Sequence, residues 1–358
     1  MTENVLLTKL DLNVTRVAPY IMSPLADGAV RLKVESFAVT ANNVTYAVIG
    51  DMFGYWNFFP TGEEGAGIVP MWGHAVVEAS HSPDIKVGER VYGYLPMGSH
   101  LDVIPGGISA SGFLDTAPHR QPMSPIYNQY SRINADPEHD PAHEDARMIF
   151  GPLFKTGFLI EAMMRREDWF GAQACFLTSA SSKTAMALAH CMKEGSPAVK
   201  RIGLTSTGNV EFVRSTGLYD AVLDYAEMLP LPEESAVSVD FAGNATVLRN
   251  IHEGLGDRLT YSCTVGVTHV GARQGSGAPL PGPTPTLFFA PTEAAATIKA
   301  LGPKGFGDAV GKSWAGFVTV TDGVVKVDHR AGLQAAADAF VATFKGNADP
   351  AVGIVVRP

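Results

Sequence analysis

The chain has only three cysteines in 358 residues, Cys175, Cys191 and Cys263. So sparse and odd a set argues against a disulfide framework and fits a reducing compartment. No apolar run reaches the roughly 20 residues that cross a bilayer. The start, Met1-Thr-Glu-Asn4, lacks the basic and apolar regions of a signal peptide. Basic blocks are missing too, and the formal charge of −9 argues against nucleic acid as a partner. The G-x-G-x-x-G, G-x-S-x-G and S-x-x-K motifs do not occur, which removes the usual dinucleotide fingerprint, the nucleophile elbow and the serine β-lactamase pair. The expectation is a soluble, cytoplasmic globular protein with no nucleic-acid or membrane partner.

What is present is enough apolar residue, 46%, for sizeable cores, and a length that fits two domains. The most informative stretch runs from Ala174 to Tyr225. Ala174–Leu177 is a short apolar run, Thr178–Ser182 are small turn-formers, and Ala185–Met192 have the close-packing composition of a helix on a sheet. Arg201–Thr205 is a second apolar run. Strand, turn, helix, strand predicts a parallel sheet with a right-handed crossover. The first turn of such a unit is where a helix N-terminus meets pyrophosphate. Here that turn reads Ser179-Ala180-Ser181-Ser182-Lys183-Thr184, with Lys183 placed to meet an anion. An ordinary sheet–helix turn with a solvated lysine is the competing reading. Lys183-Thr184 also invites a P-loop reading, but both glycines of that motif are missing.

The N-terminal third is β-rich. Val30–Ser36 alternates apolar and polar residues as a half-buried strand does, and Val39–Gly50 reads as a strand end entering a short helix. Phe53–Phe59 is aromatic-rich. Short β-like runs at 65–69, 74–78 and 89–94 suggest a barrel. Residues 106–143 lack periodicity and read as a long surface excursion. A long amphipathic helix is predicted over 147–166. Further strands are predicted at 221–223, 236–240, 261–265, 287–290 and 317–320. A C-terminal helix is expected over 332–344 and a last strand over 351–356.

Several stretches together resemble the medium-chain dehydrogenase/reductase superfamily, nearest its zinc-free quinone-oxidoreductase branch. They are Thr45-Tyr-Ala-Val-Ile-Gly50, Glu64-Gly-Ala-Gly-Ile-Val69, Lys86-Val-Gly-Glu-Arg-Val91, Gly217-Leu-Tyr-Asp-Ala-Val-Leu-Asp-Tyr225, Val239-Asp-Phe-Ala-Gly243 and Gly353-Ile-Val-Val356. Val69-Pro-Met-Trp-Gly73 and the Ser/Lys turn make the chain similar to the DUF2855-type subgroup. The resemblance implies an α/β protein. A GroES-like β-barrel domain would span 1–145, completed by 310–358, and a Rossmann-like doubly wound parallel sheet would span 146–309. It implies an NADP(H)-dependent reductase acting on a small carbonyl or activated alkene in the cleft between them.

Within that resemblance Tyr46 is the candidate proton donor, with Asn43 and Thr45 orienting substrate. A packed tyrosine and a capping turn are the structural alternatives. Thr156 is the residue of its helix expected to face the nicotinamide. Ser179–Thr184, Gly243 and Gly266 are the remaining candidates around the dinucleotide. After the second strand, Thr205, Ser206 and Asn209 include no acid for a ribose 2′-hydroxyl, and Arg214, with Arg201 nearby, suits a 2′-phosphate. Glu63 stands where the zinc branch has histidine, and Asn43-Val44 where it has its first cysteine, so no metal is expected. A member that has lost its cofactor and only binds a ligand or partner is the alternative function.

Overall fold

The computed structural model describes residues 2–231, 233–241, 243–265 and 279–358. Gly266 lies outside them, as does the first part of the Pro/Gly-rich loop at 271–285. The chain divides into two compact units, Met1–Ile149 with Val327–Pro358, and Phe150–Lys326.

The first unit is built from antiparallel strands. β1 (Glu3–Thr8), β2 (Asp11–Pro19) and β4 (Ala66–Gly67) form a small sheet. The larger sheet centres on β3 (Val30–Val39), β5 (Pro70–Ser80) and β6 (Arg90–Pro96). β7 (His100–Val103) pairs with β3, and β8 (Pro105–Gly106), β9 (Gly112–Asp115) and β10 (Gln129–Arg132) extend the sheet beyond β6. The alternation in β3 works as expected: Val30, Leu32 and Val34 are buried. Arg31 points the other way and grips Asp102 of β7 at 2.8 Å. At Gly73 a Cβ would lie 2.2 Å from the Ser36 carbonyl oxygen, where the β3–β5 register shifts. Only glycine lets the two backbones approach so closely.

Residues 106–143 are not a simple surface excursion. They supply β9 and β10 and bury Phe113, Arg120 and Tyr130. Strands of four residues separated by 3₁₀ turns carry too little periodicity to be seen in the sequence. Arg120 is fully buried. It donates to Asp115 Oδ2 (2.9 Å), Tyr130 Oη (2.8 Å), Asn128 Oδ1 (3.1 Å) and the Tyr127 carbonyl (2.7 Å). Its guanidinium also lies 5.2 Å from the Phe58 ring centre.

The second unit holds a parallel sheet of β11 (Ala174–Leu177), β12 (Lys200–Thr205), β13 (Ala221–Asp224), β14 (Ala236–Asp240), β15 (Leu259–Thr264) and β16 (Thr286–Leu287). The spatial order β13-β12-β11-β14-β15-β16 reverses direction between β11 and β14, as in a Rossmann-like sheet. With the β-rich first unit this is the expected α/β combination of a GroES-like and a Rossmann-like domain. Helices α1 (Ala41–Val48) and α2 (Gly50–Phe53) belong to the first unit, and α3 (Glu144–Arg166) enters the second. There it is followed by α4 (Lys183–Gly195), α5 (Val210–Ser215), α6 (Ala245–Leu255) and α7 (Ala290–Asp322). β17 (Lys326–Ala331), α8 (Leu333–Phe344) and β18 (Val352–Arg357) return to the first unit, where β18 pairs with β3.

The run at 317–320 is helical, not β. It lies in α7, where Phe317 packs on Phe150 and Phe154 at ring separations of 5.4 and 5.2 Å. Burial of that face overrides the β-branched local preference. Residues 287–290 likewise form only the end of β16 before α7 begins.

Removing Arg120 leaves Asp115 buried without its counter-ion. Arg120→Ala is therefore expected to cost the first unit about 3–5 kcal/mol, the range for breaking a buried ion pair. Urea denaturation followed by tyrosine and tryptophan fluorescence measures it, and a change below 1 kcal/mol would contradict the anchoring role.

Candidate active site

The second unit carries the dinucleotide-type turn. β11 is followed by Thr178, whose buried hydroxyl donates to Asp240 Oδ1 (2.6 Å) and accepts from the Phe241 N–H (3.0 Å). This ties β11 to β14 at the reversal in strand order, where open α/β sheets form their ligand crevice. Asp240 also accepts from the Gly243 N–H (3.1 Å). Ser179 has φ +46°, the left-handed conformation that glycine adopts at no cost. Two tyrosine hydroxyls support the turn. Tyr225 Oη accepts from the Ser179 N–H (2.7 Å), and Tyr219 Oη donates to the Ala180 carbonyl (2.7 Å). Ala180 N–H donates to the Leu204 carbonyl (3.0 Å). Ser182 is the N-cap of α4 and accepts from the Ala185 N–H (3.3 Å). Lys183 and Thr184 open the helix, half-buried.

The end of β12 lies beside this turn. Thr205 is buried, Ser206 is exposed, and Asn209 donates to Ser181 Oγ (3.2 Å). Arg214 is exposed on α5. Arg201 is not available to a ligand there. It sits at the opposite end of β12, buried, and donates to Asp220 (2.6 Å) and the Leu218 carbonyl (3.0 Å). Thr156 is half-buried in α3, and its hydroxyl donates to the Pro152 carbonyl (3.1 Å). One residue on, a Cβ at Gly157 would lie 2.6 Å from the Leu188 backbone nitrogen, so α3 and α4 are in close contact. The turn, Thr205, Ser206, Asn209 and Gly243 therefore share one edge of the sheet. Thr178, Asp240, Tyr219 and Tyr225 complete it, and sequence reasoning assigned them no role. The signals were slight: Tyr219 and Tyr225 inside the segment 217–225, Asp240 inside 239–243, and Thr178 among the small turn-formers.

The first unit carries a separate aromatic site. Thr40 caps α1, and Asn43 closes the capping box by accepting from the Thr40 N–H (2.7 Å). Asn43 also donates to the Pro70 carbonyl (2.8 Å). Thr45 donates back to the Ala41 carbonyl (3.4 Å). Both side chains thus serve the helix. Tyr46 is different. It is buried, and its Oη accepts from Asn42 Nδ2 (2.7 Å) and Trp72 Nε1 (3.0 Å). Its ring packs against Tyr55 (4.6 Å), Tyr94 (5.4 Å) and Tyr127 (6.1 Å). Burial, then the neighbouring Tyr55, pushes the Tyr46 phenol well above its ordinary pKa. The Tyr94 and Tyr127 hydroxyls adjoin the same oxygen, so the Tyr46 phenol sits at the centre of a polar cluster.

No described residue reconstructs the zinc branch's ligand set. Glu63 is exposed and paired with Arg16, Asn43 is spent on the cap, and all three cysteines are buried in the second unit. Among the described residues, His74, His139 and Glu144 of the first unit alone gather three ligand-type atoms, all within 4.8 Å of one another.

A family model described as "Protein of unknown function (DUF2855)" matches residues 37–349. No curated protein matches the sequence. Solved structures share the fold. CurA from Vibrio vulnificus in complex with NADPH aligns with a TM-score of 0.62 at 13% identity, covering 99% of this chain and 98% of that one. A quinone oxidoreductase from Pseudomonas syringae pv. Tomato DC3000 aligns with a TM-score of 0.58 at 13% identity, covering 100% of both chains. The yhdH oxidoreductase from Salmonella enterica in complex with NADP aligns with a TM-score of 0.52 at 12% identity, again covering 100% of both.

Tyr46→Phe keeps the ring but leaves Asn42 Nδ2 and Trp72 Nε1 without their acceptor. The expected loss is about 1 kcal/mol, the low end for orphaned donors because Asn42 and Trp72 are only half-buried. Equilibrium unfolding with Trp72 fluorescence as the probe checks it.

Proposed function

The chain belongs to the DUF2855 family, and from that premise we propose that it is an NADPH-dependent oxidoreductase. It would transfer hydride to a small carbonyl or activated alkene, such as an enone, quinone or enoyl thioester, without zinc. The observation that carries the reading is the sheet edge of the second unit. A helix start, capped by Ser182 and flanked by Ser181, Lys183 and Thr184, stands at the strand-order reversal. The loop after β12 offers Ser206 and Asn209 and no acid. The NADPH and NADP complexes of structures with this fold support the same choice.

In this reading Ser179–Thr184 receive the pyrophosphate through backbone N–H groups, hydroxyls and the Lys183 charge. Ser206, Asn209 and Arg214 receive the 2′-phosphate, and Gly243 and Thr156 lie around the nicotinamide half. Bound NADPH supplies the hydride. Tyr46 supplies the proton. Its pKa is raised, so it is a protonated donor throughout the neutral range and a poor base. Asn42 and Trp72 hold the oxygen so that the proton points away from them. Asn43 orients the site only through the α1 cap and the Pro70 carbonyl, and Thr45 only through its helix. The proposal extends to a homodimer, testable by light scattering against the 38.0 kDa chain mass.

A second reading has one observation in its favour. Ser179 holds a glycine conformation while carrying a side chain, which narrows the turn. A chain that has lost its cofactor would bind neither NADPH nor NADP⁺ in calorimetry.

NADPH is expected to bind more tightly than NADH, and Arg214→Ala to weaken NADPH by about 1–3 kcal/mol through a lost charged hydrogen bond. Lys183→Ala should weaken NADPH and NADP⁺ alike, since both carry the same pyrophosphate. Calorimetry measures all three, and equal affinity for NADH overturns the 2′-phosphate assignment.

If Tyr46 protonates the substrate, Tyr46→Phe should lower turnover about 10²–10⁴-fold with NADPH affinity unchanged. Stopped-flow hydride transfer to an enone is the measurement. A loss under about tenfold assigns the proton to water and leaves Tyr46 as a wall of the aromatic cluster.

A further inference from the structure

His74 lies in β5, fully buried, and neither ring nitrogen has a hydrogen-bond partner. That is costly for an imidazole, because an unmet buried polar atom loses its hydration without return. His139 approaches from the segment before α3, and its Nδ1 is also buried without a partner. Its Nε2 is 3.7 Å from Glu144 Oε1 at the start of α3. One ligand atom from each of the three residues falls within 4.8 Å of the others. Zinc bonds to imidazole nitrogen and carboxylate oxygen are about 2.0–2.2 Å, which puts two ligand atoms of one tetrahedral ion roughly 3.5 Å apart. The His139–Glu144 spacing already has that size, so a small contraction of His74 toward them completes a three-sided cradle.

We infer that His74, His139 and Glu144 form a binding site for one divalent first-row cation, zinc by the chemistry of its two nitrogens and one carboxylate. This revises the expectation of a metal-free chain, at a place unrelated to the zinc branch's ligand positions. A water would take the fourth position. The site's charge favours a cation despite two nearby guanidiniums. Arg90 is held between Glu35 and Glu144, and Arg147 between Asp136 and Glu138, so two positive groups face four carboxylates. Arg90 donates once to each oxygen of Glu144 (2.7 and 3.1 Å) and leaves each oxygen a further lone pair. Arg90 would then orient the Glu144 carboxylate, as hydrogen-bond partners of metal ligands do. The ion would join β5, the 136–140 segment and α3, and the inference stands independently of the dinucleotide assignment.

The test uses the full chain, stripped by dialysis against a chelator and titrated with Co²⁺ and then Zn²⁺. One equivalent of Co²⁺ should bind with d–d absorption of a low-coordinate site, be displaced by Zn²⁺, and raise the melting temperature. His139→Ala and Glu144→Gln, both at partly exposed positions, should each weaken Co²⁺ at least tenfold, the scale for losing a ligand or its support. NADPH affinity should be unaffected by either change, which separates this result from the proposed function. Absence of stoichiometric Co²⁺ or Zn²⁺, binding of several weak equivalents, or equal affinity in His139→Ala and Glu144→Gln would overturn the site.

Discussion

The guanidinium of Arg120 is the interaction on which the first unit's candidate site depends. Taking a charge out of water costs several kcal/mol, and only close partners offset it. Here the offset comes from Asp115, Asn128, the Tyr130 hydroxyl and the Tyr127 carbonyl, with Phe58 and Phe59 against its plane. Tyr130 in turn donates to the Tyr94 carbonyl in β6 (2.6 Å). Arg120 thus ties residues 115–130 to one another, while the Tyr130 hydroxyl and the pairing of β10 with β6 hold them to the larger sheet. Their reward is Tyr127, whose hydroxyl meets that of Tyr55 at 3.1 Å and whose ring packs on Tyr46. One wall of the aromatic cluster around Tyr46 is thus held by a residue 74 positions away in the chain.

The second unit solves a different problem. A glycine-rich turn lets backbone groups approach a pyrophosphate, but it leaves the turn loose. Here Ser179 takes the left-handed conformation, and the Tyr225 and Tyr219 hydroxyls bond the backbone on either side of the bend. Thr178 and Asp240 lock the neighbouring strand ends. The turn is held by side chains just before and just after β13, so its shape is preset. Preset donors lose less entropy on binding.

The same logic separates the helix-bound residues from the site-bound ones in α1. Asn43, Thr45 and Tyr46 stand side by side in sequence, yet only Tyr46 directs its polar atom into the aromatic cluster. Asn43 and Thr45 return theirs to the backbone. Short polar side chains near a helix start find backbone partners first, whereas a phenol is too long to do so.

Residue order alone determined the parallel sheet of the second unit. The apolar run 174–177, the small residues after it and the second run at 201–205 can pair in few ways, because a parallel crossover has one favoured hand. The alternation in 30–36 likewise decided which side of β3 is buried. The absence of an acid after Thr205 and the missing cysteines were equally plain in the sequence. Tertiary structure decided what depends on distant partners. Whether 317–320 became helix or strand rested on the Phe150 and Phe154 rings. Whether Arg201 could meet a phosphate rested on Asp220. In the folded chain His143 pairs with Asp140, and His139 turns to Glu144 and to His74 from another strand. Periodicity reports the face a side chain is on, but not which atom waits across the core, and that is fixed only when remote segments pack.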